Sequence, residues 1–109
     1  MSVIIVFTTF PSKKTAQKVA KKLIQEHLAG CVQILGPMES HYYWQNKYEK
    51  SREYLMLIKT IEQKYKKLET TIKEIHPYET PQILGCRVSL ASETYTTWLI
   101  SQVSDTTKY

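Results

Sequence analysis

Three glycines and four prolines among 109 residues leave no room for a long flexible linker or a proline-rich arm. Cysteine is equally scarce. Cys31 and Cys86 are too few for a disulfide scaffold and form no C-x-x-C pair, so both are expected to be reduced thiols, buried as small hydrophobes. No apolar run approaches the length of a bilayer-crossing helix, so no membrane partner is expected. The stretch Val3 to Phe7 has no basic segment ahead of it and no small-residue cleavage site. It reads as a strand rather than a signal peptide, and the chain as cytoplasmic. Also missing are a phosphate-cradling glycine loop, a paired-histidine metalloprotease motif and a serine in a nucleophile elbow. The chain is not expected to be an enzyme.

What is present is an ordinary globular composition, 42% apolar and 23% charged, with residues 1–109 read as one domain. The net charge of +5 is concentrated on one predicted helix, through Lys13, Lys14, Lys18, Lys21 and Lys22. Such a run reads first as a solvated face.

Apolar spacing orders the elements. Residues 3–9 form a β-rich run. Ser12 offers an N-cap to a helix with Ala16, Val19, Ala20, Leu23 and Ile24 on its inner face, and Gly30 is expected to end it. A strand from Cys31 is expected to break at Gly36-Pro37 and resume over Met38 to Trp44. Gln45-Asn46-Lys47 turns the hairpin, with Asn46 the candidate for positive φ. The return strand runs to Ile58, and Thr60 with Gln63 reads as a capping box for a second helix. Ile83 to Leu90 is a fourth strand, and Ser92 caps a last helix carrying Tyr95, Trp98, Leu99 and Val103. The fold class is α+β: a ferredoxin-like β-α-β-β-α-β order with an extra C-terminal helix and two helices on one face of an antiparallel sheet.

Between the second helix and the fourth strand stands His76-Pro77-Tyr78-Glu79, with Pro81 close behind. Proline ends the helix and stiffens the turn. His76 is thereby placed at a helix C-terminus, where the carbonyl-rich end favours an imidazolium. Tyr78 reads as an interface anchor, and Glu79 as a metal ligand or a partner that orients the imidazole. Candidate metal donors are His76, Glu79, Cys31 and Cys86, with His27, His41 and the methionines outside the set; imidazole and thiolate suit copper. Trp44 and Trp98 read as packing residues.

The hairpin around residues 38–54 carries Tyr42, Tyr43, Trp44, Tyr48 and Tyr54, more aromatic surface than a chain of this size can cover. Edge strands of this kind invite pairing with another copy. RNA-recognition domains share the element order, but they place aromatics on the first and third strands in a glycine-rich pattern. Glu53 to Lys59 lacks that pattern, so no nucleic-acid partner is expected.

The series Thr8-Thr9, Leu28-Ala29-Gly30-Cys31-Val32, Tyr43-Trp44, Leu57-Ile58-Lys59-Thr60, His76-Pro77-Tyr78-Glu79-Thr80-Pro81 and Tyr95 with Trp98 resembles the CutA family of divalent-cation tolerance proteins over nearly the whole chain. Two departures stand out: Gln45-Asn46 replaces an acidic residue and glycine at the hairpin tip, and Leu90-Ala91-Ser92 replaces a glycine-containing segment. The resemblance implies a homotrimer joined through its strands, similar in shape to PII-type signalling trimers. It also implies tolerance to copper and other divalent ions. On that footing His76 and Glu79 line a cleft between protomers, with Cys31 as a soft ligand to a divalent metal ion. The alternative is a PII-like regulatory trimer that binds a small anionic metabolite or a protein partner. Lys59 or Arg87 turned into the cleft would distinguish it.

Overall fold

Burial alternates along the first strand, and that alternation divides the sheet into two unlike faces. The computed structural model describes residues 2–104. Its elements are strand β1 (Val3–Phe10), helix α1 (Lys13–Gln25), strands β2 (Cys31–Trp44) and β3 (Lys47–Ile61), helix α2 (Tyr65–Ile75), strand β4 (Leu84–Arg87) and helix α3 (Glu93–Val103). The strands lie in the order β2-β3-β1-β4, and every pairing is antiparallel. This is the expected ferredoxin-like arrangement, with Cys31 and Cys86 on opposite edge strands.

Ile4, Val6 and Phe10 of β1 and Met56 and Ile58 of β3 join Ala16, Val19, Leu23, Leu68 and Ile72 of the two helices in one core. Each of the larger side chains, fully buried, contributes about 1.5–3 kcal/mol, and Ala16 less. The alternate residues Ile5, Phe7, Leu55 and Leu57 face away from α1 and α2 and remain half-buried. Leu35 and Leu84, on the two edge strands, are 60% and 59% exposed on that same side.

Several boundaries differ from expectation, each for a local reason. Helix α1 stops at Gln25, and His27, not Gly30, takes the left-handed conformation with φ 57°. Gly30 serves packing instead: a Cβ there would run into the side chain of Leu99. Thr60 does not cap a helix. It remains in β3, buried, where its hydroxyl donates to the Leu28 carbonyl at 2.8 Å. A 3-10 turn over Glu62–Lys64 separates that strand from α2, which has no side-chain N-cap.

Strand β2 is continuous through Gly36-Pro37, a cis peptide, and absorbs the pair as a one-residue bulge between Leu35 and Met38. The hairpin closes on a two-residue turn in which Gln45 and Asn46 both have positive φ, 51° and 66°, while Lys47 already pairs with Trp44. Strand β4 is only four residues long. Ser92 caps α3 as expected, its Oγ accepting from the Tyr95 N–H at 3.2 Å, but only Leu99 and Val103 of that helix are buried.

Candidate functional site

Helix α2 ends at Ile75, and His76 leaves it with extended backbone. The turn folds the ring back over the end of β1, where it stacks on Phe10 with centroids 4.4 Å apart. Its Nε2 donates to the Thr9 carbonyl at 2.7 Å, and its Nδ1 accepts from the Tyr78 N–H at 3.1 Å. Both nitrogens are therefore used within the chain. Burial lowers the pKa of the ring, against smaller opposing effects from the Thr9 carbonyl and Glu53. His76 is a neutral positioning group and not the imidazolium that the helix end favours. Glu79 plays no part in orienting it.

Tyr78 crosses to β3 and donates its hydroxyl to Glu53 at 2.7 Å. Burial first, and Glu53 second, push its phenol well above the usual tyrosine range, so it acts as a fixed donor. Glu53 is only 6% exposed.

Around this pair opens a cleft of about 830 Å3. Its walls carry Glu49, Glu53 and Glu79 together with Tyr42, Trp44 and Tyr78. The bulge explains why the hairpin contributes these residues. One extra residue in β2 puts Met38 opposite Glu53 and Tyr42 opposite Glu49, so Ser40, Tyr42 and Trp44 share a sheet face with the two glutamates. The cleft thus continues the sheet face that α1 and α2 leave uncovered.

Among the described residues no lysine or arginine lines the cleft. Lys59 lies over the Tyr95 ring, 5.8 Å from its centroid, and Arg87 makes a two-pronged ion pair with Glu62 at 2.9 and 2.7 Å. His41 also lines the cleft, its ring held between Glu39 and Tyr48.

Of the four candidate metal donors, Glu79 lines the cleft, and His76 stands behind it with both nitrogens engaged. Cys31 is elsewhere. It pairs with Lys59, six residues along β3 from Glu53, a rise of roughly 20 Å. Neither cysteine is buried as expected: Cys31 is half-buried, Cys86 is exposed, and both are free thiols. Among the described residues no three His, Cys, Asp or Glu side chains converge on a point that would hold a metal ion.

The family model for CutA1 divalent ion tolerance proteins matches residues 4–102. The chain belongs to the CutA family. A CutA divalent-cation tolerance protein of Pyrococcus horikoshii is 39% identical over 99 residues, spanning 91% of this chain and 96% of the relative. The CutA crystal structure from Xylella fastidiosa superposes with a TM-score of 0.92 at 33% identity, covering 95% of this chain and all of its own. That of CutA1 from Oryza sativa gives 0.93 at 30% identity, with 96% of each chain covered. A further CutA structure, from Archaeoglobus fulgidus, bears the name periplasmic divalent cation tolerance protein; it is 29% identical, covers 94% of this chain and 99% of its own, and has a TM-score of 0.91. The family's name describes tolerance to divalent cations and not a catalysed reaction. Among the described residues no helix of this CutA chain is long and apolar enough to cross a membrane.

Glu53 and Glu49 were not expected in the site, and Tyr42 was expected only among the hairpin aromatics. Glu53 opens the run Tyr54 to Ile58, and a lone carboxylate beside a buried strand was the available signal. The bulge that sets Tyr42 on the same face had no signal of equal strength.

Proposed function

We propose that this CutA chain is a non-enzymatic divalent-cation tolerance protein that works in the cytoplasm as a homotrimer. It binds copper or another divalent ion in a cleft between protomers. The observation that carries this reading is the charge of the cleft, which has three carboxylates on its walls and neither Lys59 nor Arg87. A small anionic metabolite would meet repulsion there, which argues against the PII-like alternative.

Glu79 is the direct ligand in this reading, and His76 fixes the turn that carries it. A carboxylate is a hard donor, and the described residues of one chain bring no three donors together, so further ligands come from a neighbouring protomer. Cys31, on the uncovered sheet face, supplies a soft donor to that shared coordination. The test is mass determination by light scattering followed by calorimetric titration with Cu2+. A trimer whose copper affinity falls at least tenfold in Glu79→Gln supports the reading. A trimer that takes up no copper, or binds it equally well in the variant, overturns it.

A further inference from the structure

We propose that the Glu53 end of the cleft is a binding site for a small aliphatic ammonium compound, with diamines as the fitting class. The first observation is a carboxylate without a counter-charge. Glu53 is only 6% exposed, one of its oxygens accepts from the Tyr78 hydroxyl, and it forms no ion pair with any described lysine, arginine or histidine. Removing a carboxylate from water without a cationic partner costs several kcal/mol. A bound cation is the natural compensation.

The second observation is the nature of the walls. Tyr42, Trp44 and Tyr78 surround the acid, and aromatic rings attract organic cations while packing well against an alkyl stem. An alkylammonium compound gains from such a lining along its whole length, at the charged end and at the stem. The third is size. At about 830 Å3 the cleft falls within the range of small-molecule sites, roughly 300–1,000 Å3. The described residues bring no three metal donors together anywhere in the chain.

A primary ammonium offers three N–H donors, which suits a carboxylate better than a quaternary nitrogen does. Glu49 lies on the same strand face four residues from Glu53, so a second cationic end finds a second acid.

This proposal shares with the preceding reading only the premise that the cleft is a ligand site in the assembled protein. The probe is 1,4-diaminobutane, titrated calorimetrically into the intact protein in the presence of EDTA, with 1,4-butanediol as the uncharged control. Saturable binding of the diamine, at least tenfold weaker in Glu53→Gln and several-fold weaker in Tyr42→Leu, is expected. The amide introduced by Glu53→Gln retains an acceptor for the Tyr78 hydroxyl. Tyr42 is an exposed strand residue, so its variant reports even if the Glu53 substitution disturbs folding. Absence of diamine binding, equal binding of the diol, or unchanged affinity in both variants overturns the proposal. Copper uptake without diamine uptake overturns it alone, whereas failure of both ligands removes the cleft as a binding site.

Discussion

His76 is a single residue that joins two distant parts of the chain. It sits between Phe10 and Tyr78 and ties the end of α2 to the end of β1. Burial holds its folded-state pKa below the ordinary 6.5. Between that lowered value and 6.5 the unfolded chain binds a proton that the native chain does not, so stability rises with pH there. The contribution is complete above about 6.5 and drains as pH falls toward the lowered folded value. Urea midpoints measured from pH 7 down to pH 5 should therefore decline. The variant His76→Gln removes the titration and loses about 1–3 kcal/mol at pH 7 through the broken hydrogen bonds. Its decline should be shallower, and a slope as steep as the parent's would show that other groups govern the pH dependence. The importance of this position was legible because histidine before proline at the end of a helical period is locally conspicuous. Its partner was not, since Thr9 lies 67 residues away and no local pattern links a carbonyl to a ring at that separation.

Elements were recovered in kind and order, because apolar periodicity is a local signal, while their ends were settled by contacts made later in folding. Thr60 shows the difference. Threonine three residues before glutamine reads as a capping box, but the buried Leu28 carbonyl needs a donor and takes the hydroxyl. The strand thereby runs three residues past Ile58, and with the 3-10 turn over Glu62–Lys64 this delays α2 to Tyr65. Gly30 is a second case, where a residue suited to ending a helix instead leaves room for the Leu99 side chain from another element.

The hairpin tip carries the element-scale prediction. Gln45 has φ 51° without the local side-chain advantages of asparagine. A left-handed residue with a Cβ costs roughly 1–2 kcal/mol, and a tight two-residue turn between twisted strands demands this geometry. Gln45→Gly should therefore raise the urea midpoint by an amount corresponding to about 0.5–1 kcal/mol, the gain being reduced by the added freedom of the unfolded chain. An unchanged or lower midpoint would mean that the turn is not strained at this position.

At the scale of the whole molecule, the sheet has one finished face and one unfinished face. Across the uncovered side run Leu84, Phe7 and Leu57 in one row, with Leu55 and Leu35 in the next. The outer members, Leu35 and Leu84, are more than half exposed. Beyond them the hairpin projects Tyr43 and Tyr48 at 75% and 60% exposure, and both edge strands offer unpaired backbone groups. A continuous apolar face joined to two open edges is the form of a surface that another copy covers. The sequence already pointed this way through its surplus of aromatics, but it left the contact on the hairpin alone. The register extends it to the leucines.

Replacing Leu35 and Leu84 together by glutamate separates assembly from folding, because both side chains are largely solvated within the protomer and their loss costs its own core little. Light scattering should give about three times the 12.8 kDa protomer mass for the parent chain. The double variant should approach a single protomer, with far-ultraviolet circular dichroism preserved, because carboxylates brought from every protomer into the proposed apolar interface would face each other without counter-charges. A double variant that keeps the parent's mass would place the interface elsewhere and leave the leucine rows as ordinary surface.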